Sequence, residues 1–439
     1  PGSWQSQPSG KPQYIGASID CTYNGSENPT DGKQHDTPFL SVTLFATLSR
    51  SLIALALAAV PAFSQSVSGS PEGFASGTTG GAAGETVTPT SIDELTEYLT
   101  AEEPYTIVLT KTFDYTGSEG TTTETGCAPW GTAAGCQQAI NANDWCGDYQ
   151  SGAGAVEVTY DVAGASAIKV ASDKTIIGSG SAGIIKGKGL SFQSGVSNII
   201  LQNVEITDLN PQYVWGGDAI TLNGCSNVWI DHVKVSLVGR QMIVAGYETN
   251  TAITISNSEF DGQTSWSASC DGNHYWNSFF IGENDQITFK GNYIHHTSGR
   301  APKLGGGTLF HAVNNYWSDN SGHAFEGEDA YLLLEGSTFD NVSAPEQDWT
   351  GSAYVPTSED SACSSGLGRS CAATTFVDSG EFEGSDSSVL SQFGDLEIAE
   401  ADVDASGVPE SAGVGKLSSS SKSNSTSTRS VRRAHWLGR

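Results

Sequence analysis

The sequence predicts an all-β fold, a parallel β-helix, and three observations carry that expectation. From residue 156 onward, short β-rich runs such as Ile168-Lys-Val170 and Thr175-Ile-Ile177 alternate with turn residues. Six longer runs begin at residues 198, 227, 252, 286, 308 and 330, so successive starts lie 29, 25, 34, 22 and 22 residues apart, a degenerate repeat near the length of one solenoid coil. Several runs share one form: apolar, any, apolar, any, then Asn or Gly, then a further apolar strand. A single coil cannot bury its own apolar side chains, but stacked coils build a continuous core. Inward asparagines and serines then hydrogen-bond from coil to coil. The rival architecture is a β-sandwich, also made of short strands.

In chain order, residues 1–38 are rich in Pro, Gly, Ser and Asn and read as an N-terminal extension, disordered or non-native. Residues 39–66 form a secretory signal-like segment, in which Arg50 precedes Leu52-Ile-Ala-Leu-Ala-Leu-Ala-Ala59 and small residues follow. That run is short for a bilayer span and suits a signal h-region. In Ser91-Ile-Asp-Glu-Leu-Thr-Glu-Tyr-Leu99, the apolar spacing and early acidic pair predict a short capped helix. Tyr105-Thr-Ile-Val-Leu-Thr110 predicts a strand. The β-helix domain is placed at 67–410. Residues 411–439 read as a Ser-rich disordered tail with a basic end at Arg429, Arg432 and Arg433.

Twenty Lys and Arg against 49 Asp and Glu give a formal net charge of −29. That balance argues against nucleic acid and anionic membrane as partners, both of which need a basic footprint. The eight cysteines hold no CxxC pair of zinc spacing, so disulfides in a secreted protein are their expected use. N-glycosylation sequons begin at Asn24, Asn341 and Asn424. No glycine-rich phosphate loop joins a strand to a helix, and the histidines form neither HxH nor HExxH, so no nucleotide, metal or other cofactor is expected. Carboxylate pairs of the glycosidase kind are easily found among 49 acidic residues and decide nothing.

Charge gathers in three stretches: Tyr213-Val-Trp-Gly-Gly-Asp-Ala-Ile220, the run from Trp229 to Gln241, and Thr297-Ser-Gly-Arg-Ala-Pro-Lys303. In a solenoid, equivalent positions of successive coils share a face, so Asp218, Arg240 and Arg300 can converge. Taken alone, Arg300 reads more readily as a substrate ligand or a structural ion-pair partner than as a base.

Between Ser68 and Glu410 the chain resembles the fungal pectin lyases of the pectate lyase superfamily. The resemblance rests on an ordered series: Gly126-Cys-Ala-Pro-Trp-Gly-Thr132, Tyr213-Val-Trp-Gly-Gly-Asp-Ala-Ile220, Val228-Trp-Ile-Asp-His232, Gly239-Arg-Gln241 and Thr297-Ser-Gly-Arg-Ala-Pro-Lys303. It implies a single-stranded right-handed parallel β-helix, secreted and monomeric. It also implies endo-cleavage of the α-1,4 bonds of methyl-esterified homogalacturonan by β-elimination, leaving 4,5-unsaturated uronate ends. Arg300 is then the candidate base for the poorly acidic C5 proton. Asp218 and Arg240 organise the site and stabilise charge at C6. Trp145, Tyr149, Trp215 and Trp276 supply flat apolar faces for the sugar chain, and Lys303 shapes a positive cleft. A tryptophan of the family's cleft stands here as Tyr149. The run Leu304-Gly-Gly-Gly307 is richer in glycine than the family pattern. The family pairing implies disulfides Cys127–Cys146, Cys136–Cys270 and Cys363–Cys371, with Cys225 free. Two rivals remain: a calcium-dependent pectate lyase, which needs several acidic ligands where this chain has Arg240, and a noncatalytic pectin-binding protein.

Overall fold

The computed structural model describes residues 65–358 and 362–417. The extension at 1–38, the signal-like segment up to residue 64, residues 418–439 of the tail and the sequons at Asn24 and Asn424 lie outside the described residues.

Strands stack coil upon coil on three faces. The first face runs through ten parallel strands, from Glu85–Val87 to Ser352–Tyr354. The second runs from Thr112–Asp114 to Thr375–Val377. The third begins at Ile168–Lys169 and ends on the long strand Tyr316–Gly327, which serves both of these faces. Every ladder on the three faces is parallel, which excludes the sandwich and makes the domain a right-handed parallel β-helix.

First-face register pairs Ser197 with Ser226, Ser226 with Thr251, Ile253 with Ile287, Gln286 with Leu309 and Thr308 with Ala330. Coil lengths are therefore 29, 25, 34, 23 and 22 residues; the fourth interval was expected one residue shorter. Alternate residues point inward and form files along the axis, such as Ile199, Val228, Ile253, Ile287, Phe310 and Leu332, all fully buried. These files are the continuous core that no single coil can make.

The Asn or Gly of the repeat sits at the corner between first and second faces. Asn203, His232, Asn257, Gly291, Asn314 and Gly336 all have φ between 47° and 65°, the left-handed region that Asn and Gly enter most readily. The next position holds the inward polar ladder. Asn292 Oδ1 accepts from Ser258 N at 3.0 Å, Asn315 Oδ1 from Asn292 N at 2.9 Å, and Ser337 Oγ from Asn315 N at 3.1 Å.

One end of the stack is capped by a helix, and part of the outer side of the first face is covered by a disulfide loop. The helix Ile92–Thr100 buries Leu95 and Leu99 at that end, its Ser91 cap accepting from Glu94 N as expected. On the outer side of the first face, beside Leu309 and Leu333, the loop closed by Cys363–Cys371 is pinned to Glu335, a fully buried carboxylate. Glu335 accepts from Arg369 Nη2 at 2.6 Å and Nη1 at 2.9 Å, from His311 Nε2 at 2.9 Å and from Ala372 N at 3.1 Å. Burial alone would raise this carboxyl, but the Arg369 and His311 bonds hold it down at about 2.

The boundary expected at residue 410 falls too early. The helix Val408–Ser411 closes over Tyr293 and Tyr316, and the chain stays attached beyond it. Gly413 N donates to Asn257 O and Gly415 N to Asn203 Oδ1, both at 2.7 Å. The corner asparagines supply these acceptors, so residues 411–417 belong to the folded body.

Candidate active site

Loops between the second and third faces carry Asp218, Arg240 and Arg300. They rejoin the third face on its successive rungs, where Ile220 pairs with Ile243, Ile243 with Ser278, and Phe279 with Lys303, so that one rung, that of Ser278, lies between those that follow Arg240 and Arg300. Carried two residues back, this register sets Asp218, Gln241, Trp276 and Arg300 in one file. Backbone bonds follow it: Ala219 N donates to Gln241 O at 3.0 Å, Met242 N to Trp276 O at 3.2 Å and Ser278 N to Arg300 O at 2.6 Å. Rungs are spaced by about 4.8 Å, so Arg300 lies two rungs, roughly 10 Å, from the Arg240 backbone.

Asp218 and Arg240 are joined directly. Arg240 Nε donates to Oδ1 at 2.8 Å and Nη2 to Oδ2 at 2.6 Å, a bidentate pair, while Gln241 N adds a third bond to Oδ1 at 2.9 Å. The guanidinium also lies 3.9 Å from the centroid of the Trp215 ring. The two glycines of Trp-Gly-Gly-Asp make this possible. A Cβ on Gly217 would meet Gly164 O at 2.1 Å, and one on Gly216 would meet Asn210 Cβ at 2.6 Å. Only glycine lets the loop tuck in and aim Asp218 along the file.

Arg300 lies over aromatic rings, 4.8 Å from the centroids of Trp276 and Phe279 and 5.6 Å from that of Tyr275. Its φ of 46° is uncommon for a long side chain, a backbone setting that clusters at functional sites. Glu326 is its acidic partner, Oε1 standing 3.5 Å from Arg300 Nε and 3.1 Å from Lys303 Nζ. The other oxygen, Oε2, lies 2.8 Å from His323 Nε2. Burial would raise the Glu326 carboxyl, but the His323 bond and the charges of Arg300 and Lys303 bring it down to about 2.

The aromatic residues divide. Tyr149 is 43% exposed, and Trp145 meets the partly exposed Trp215 edge-on at 6.4 Å. Trp276 was expected as an open sugar-stacking face, yet it is only 9% exposed. Its indole N–H donates to Gln137 Oε1 at 3.0 Å and its ring meets Trp130 at 6.1 Å. Trp276 is therefore the floor beneath Arg300, because the lobe that carries Trp130 closes over it. That lobe is the antiparallel pair Thr121–Ala128 and Gly154–Asp161, joined to Gln138–Ala139. Cys127–Cys146 and Cys136–Cys270 fasten it, and Cys225 is free and buried. All three implied pairings are present.

Sequence reasoning missed Glu326, His323, His274, Tyr275 and Gln137. Glu326 had a signal: it pairs with Lys303, one coil of 23 residues earlier. His274 is buried, and burial drives it down to about 4 against two carbonyls that favour its cation. The neutral ring's Nε2–H points at Arg240 O at 2.8 Å and Trp276 O at 3.1 Å, bracing two rungs of the file. Gln137 Nε2 donates to Gly239 O at 2.8 Å and so holds the residue before Arg240.

Among the described residues, one acidic and histidine group has metal-like spacing: Glu259, Asp261 and His295. The Lys234 ammonium already fills it, 2.8 Å from Glu259 Oε1 and 3.0 Å from Asp261 Oδ2. At the file itself, both Asp218 oxygens are taken by Arg240 and Gln241.

The pectate lyase family model matches residues 146–416. Pectin lyase A of Emericella nidulans is 56% identical over 357 residues, 80% of this chain and 94% of that protein. Pectin lyase B of the same organism is 52% identical over 378 residues, 84% of this chain and all of its own length. The chain belongs to the fungal pectin lyases of the pectate lyase superfamily. Solved structures carry the fold further. A pectate lyase from Paenibacillus sp. 0602 superposes with a TM-score of 0.53 at 16% identity, covering 80% of this chain and 97% of its own. A pectate lyase from Bacillus sp. N165, solved with trigalacturonate, gives a TM-score of 0.50 at 20% identity, covering 79% of this chain and 99% of its own.

Proposed function

We propose that this lyase cleaves methyl-esterified homogalacturonan by β-elimination without a metal ion, with Arg300 as the base. The observation that carries the reading is the closed Asp218–Arg240 pair. A carboxylate with both oxygens engaged offers no open ligand pair, and the fixed guanidinium supplies positive charge where a bound cation would otherwise stand. In the reaction, Arg300 takes the C5 proton, the C5–H electrons form the C4=C5 double bond, and the C4–O bond breaks. Charge developing toward C6 is met by Arg240, which is already oriented and needs no reorganisation. The leaving oxygen takes its proton from a donor within reach of solvent. Trp145, Tyr149 and Trp215 offer apolar faces to the neutral ester chain, and Lys303 adds charge beside Arg300.

The deciding experiment follows formation of the unsaturated-uronate chromophore on highly methylated pectin and on polygalacturonate, with chelator and with added calcium. Chelator-insensitive signal on methylated pectin is expected. Signal only on polygalacturonate with calcium would make the enzyme a pectate lyase, and binding without product would make it a noncatalytic pectin binder. Arg300→Ala should lower turnover about 10²–10⁴-fold while the fold persists. Wild-type turnover in that variant would remove Arg300 as the base.

We also propose that the protein is secreted and works as a monomer. The signal-like segment at 39–66 and three disulfides fit an oxidising compartment. Among the described residues no helix is long and apolar enough to cross a membrane. N-terminal sequencing of the protein from culture medium tests secretion, and light scattering tests the monomer.

A further inference from the structure

We propose that Glu326 is a positioning residue for the elimination, steering the Arg300 guanidinium and supplying the counter-charge for the proton it accepts. This rests on the reading of Arg300 as base. Glu326 is a poor candidate for an incidental surface ion pair. Its side chain is 15% exposed and meets three basic side chains, Arg300, Lys303 and His323. A carboxylate so enclosed stays charged only because those partners compensate it. Its backbone is also fixed: Glu326 pairs with Lys303 on the third face, and Ala301 N donates to Ala324 O at 2.9 Å.

The two carboxylate–guanidinium pairs differ in a way that matches two roles. Asp218 grips Arg240 through two bonds at 2.8 and 2.6 Å, as suits a charge that must not move. Glu326 comes no closer to Arg300 than 3.5 Å, at Nε, longer than a hydrogen bond, and Lys303 holds the same oxygen more closely at 3.1 Å. Arg300 is therefore directed without being clamped. Its Nε edge turns toward Glu326 and its plane lies over the Trp276 and Phe279 rings. A base must change charge during the cycle. A carboxylate at this range steadies the cation as it forms, as the buried aspartate of a Ser-His-Asp triad does for its imidazolium. Lys303, sharing Oε1, keeps Glu326 from binding Arg300 too tightly.

The test measures kcat and KM on methylated pectin for Glu326→Gln, Glu326→Asp, Arg300→Ala and the double variant Arg300→Ala with Glu326→Gln, with urea unfolding of each. Glu326→Gln keeps shape and removes charge, so kcat should fall about a hundredfold with KM held within about twofold. Glu326→Asp should recover part of that loss, and the double variant should be no slower than Arg300→Ala. Wild-type kcat in Glu326→Gln, with Arg300→Ala inactive, overturns the proposal and leaves the base assignment standing. A rise in KM and a loss of stability that track the fall in activity also overturn it, since they describe a merely structural pair. An active Arg300→Ala overturns the base assignment itself, whatever Glu326→Gln does.

Discussion

Replacing Glu335 with glutamine should change how the fold answers to acid. Glu335 is fully buried, takes four hydrogen bonds and is held at about 2 against an ordinary value of 4.5. A carboxyl depressed on folding adds stability that is complete above its unfolded value and is lost as the pH falls through its folded one. For Glu335 the window runs from 4.5 down to about 2. The shift corresponds to on the order of 3 kcal/mol at neutral pH. Breaking the pair from one side leaves the Arg369 guanidinium with only the exposed Glu400 carboxylate, 3.8 Å from its Nε, as counter-charge, a loss of about 3–5 kcal/mol. Urea unfolding of wild type and Glu335→Gln at steps between pH 7 and pH 2 checks this. The stability gap should be widest at neutral pH and shrink by about 3 kcal/mol toward pH 2. Subtracting the two curves cancels the parallel contribution of Glu326. A gap that stays constant across the window would refute the argument, because the Arg369 and His311 bonds would then not depend on the Glu335 charge.

Two further outcomes follow from the site. Arg240→Lys keeps the charge but loses the planar fork that spans both Asp218 oxygens, so kcat on methylated pectin should fall about 10²–10³-fold; an unchanged kcat would remove Arg240 from charge stabilisation. Serine at both Cys136 and Cys270 opens a link across 134 residues and should lower urea stability by about 2–5 kcal/mol, and a loss near zero would mean the lobe holds its place by packing alone.

The stack was legible because its physics is periodic. Inward files, left-handed corners and the Asn and Ser ladder each recur once per coil, so they leave a mark at fixed spacing. Asp218, Arg240 and Arg300 were legible for the same reason, standing just ahead of third-face strands. Glu326 was harder to see because 49 acidic residues hide one, and only its distance from Lys303 in coil units singles it out. The lobe at 121–161 was missed because its antiparallel strands break the repeat. With it went the burial of Trp276, which depends on what covers the ring and not on the ring's own neighbours in sequence. The ordered run 411–417 was misread since its few bonds are to backbone and asparagine acceptors, which low apolar content does not reveal.

The file through Asp218, Gln241, Trp276 and Arg300 separates two things that most clefts vary together. A residue's place along the groove is set by which rung it precedes, in steps of one strand spacing. Its reach from the wall is set by the length of the loop that delivers it. Lengthening the loop at 262–277 therefore reshapes the cleft sideways without shifting any group along the sugar chain. Moving a group along the chain takes gain or loss of a whole coil. Substrate preference in such an enzyme can drift by small insertions while the distance between its two arginines stays locked.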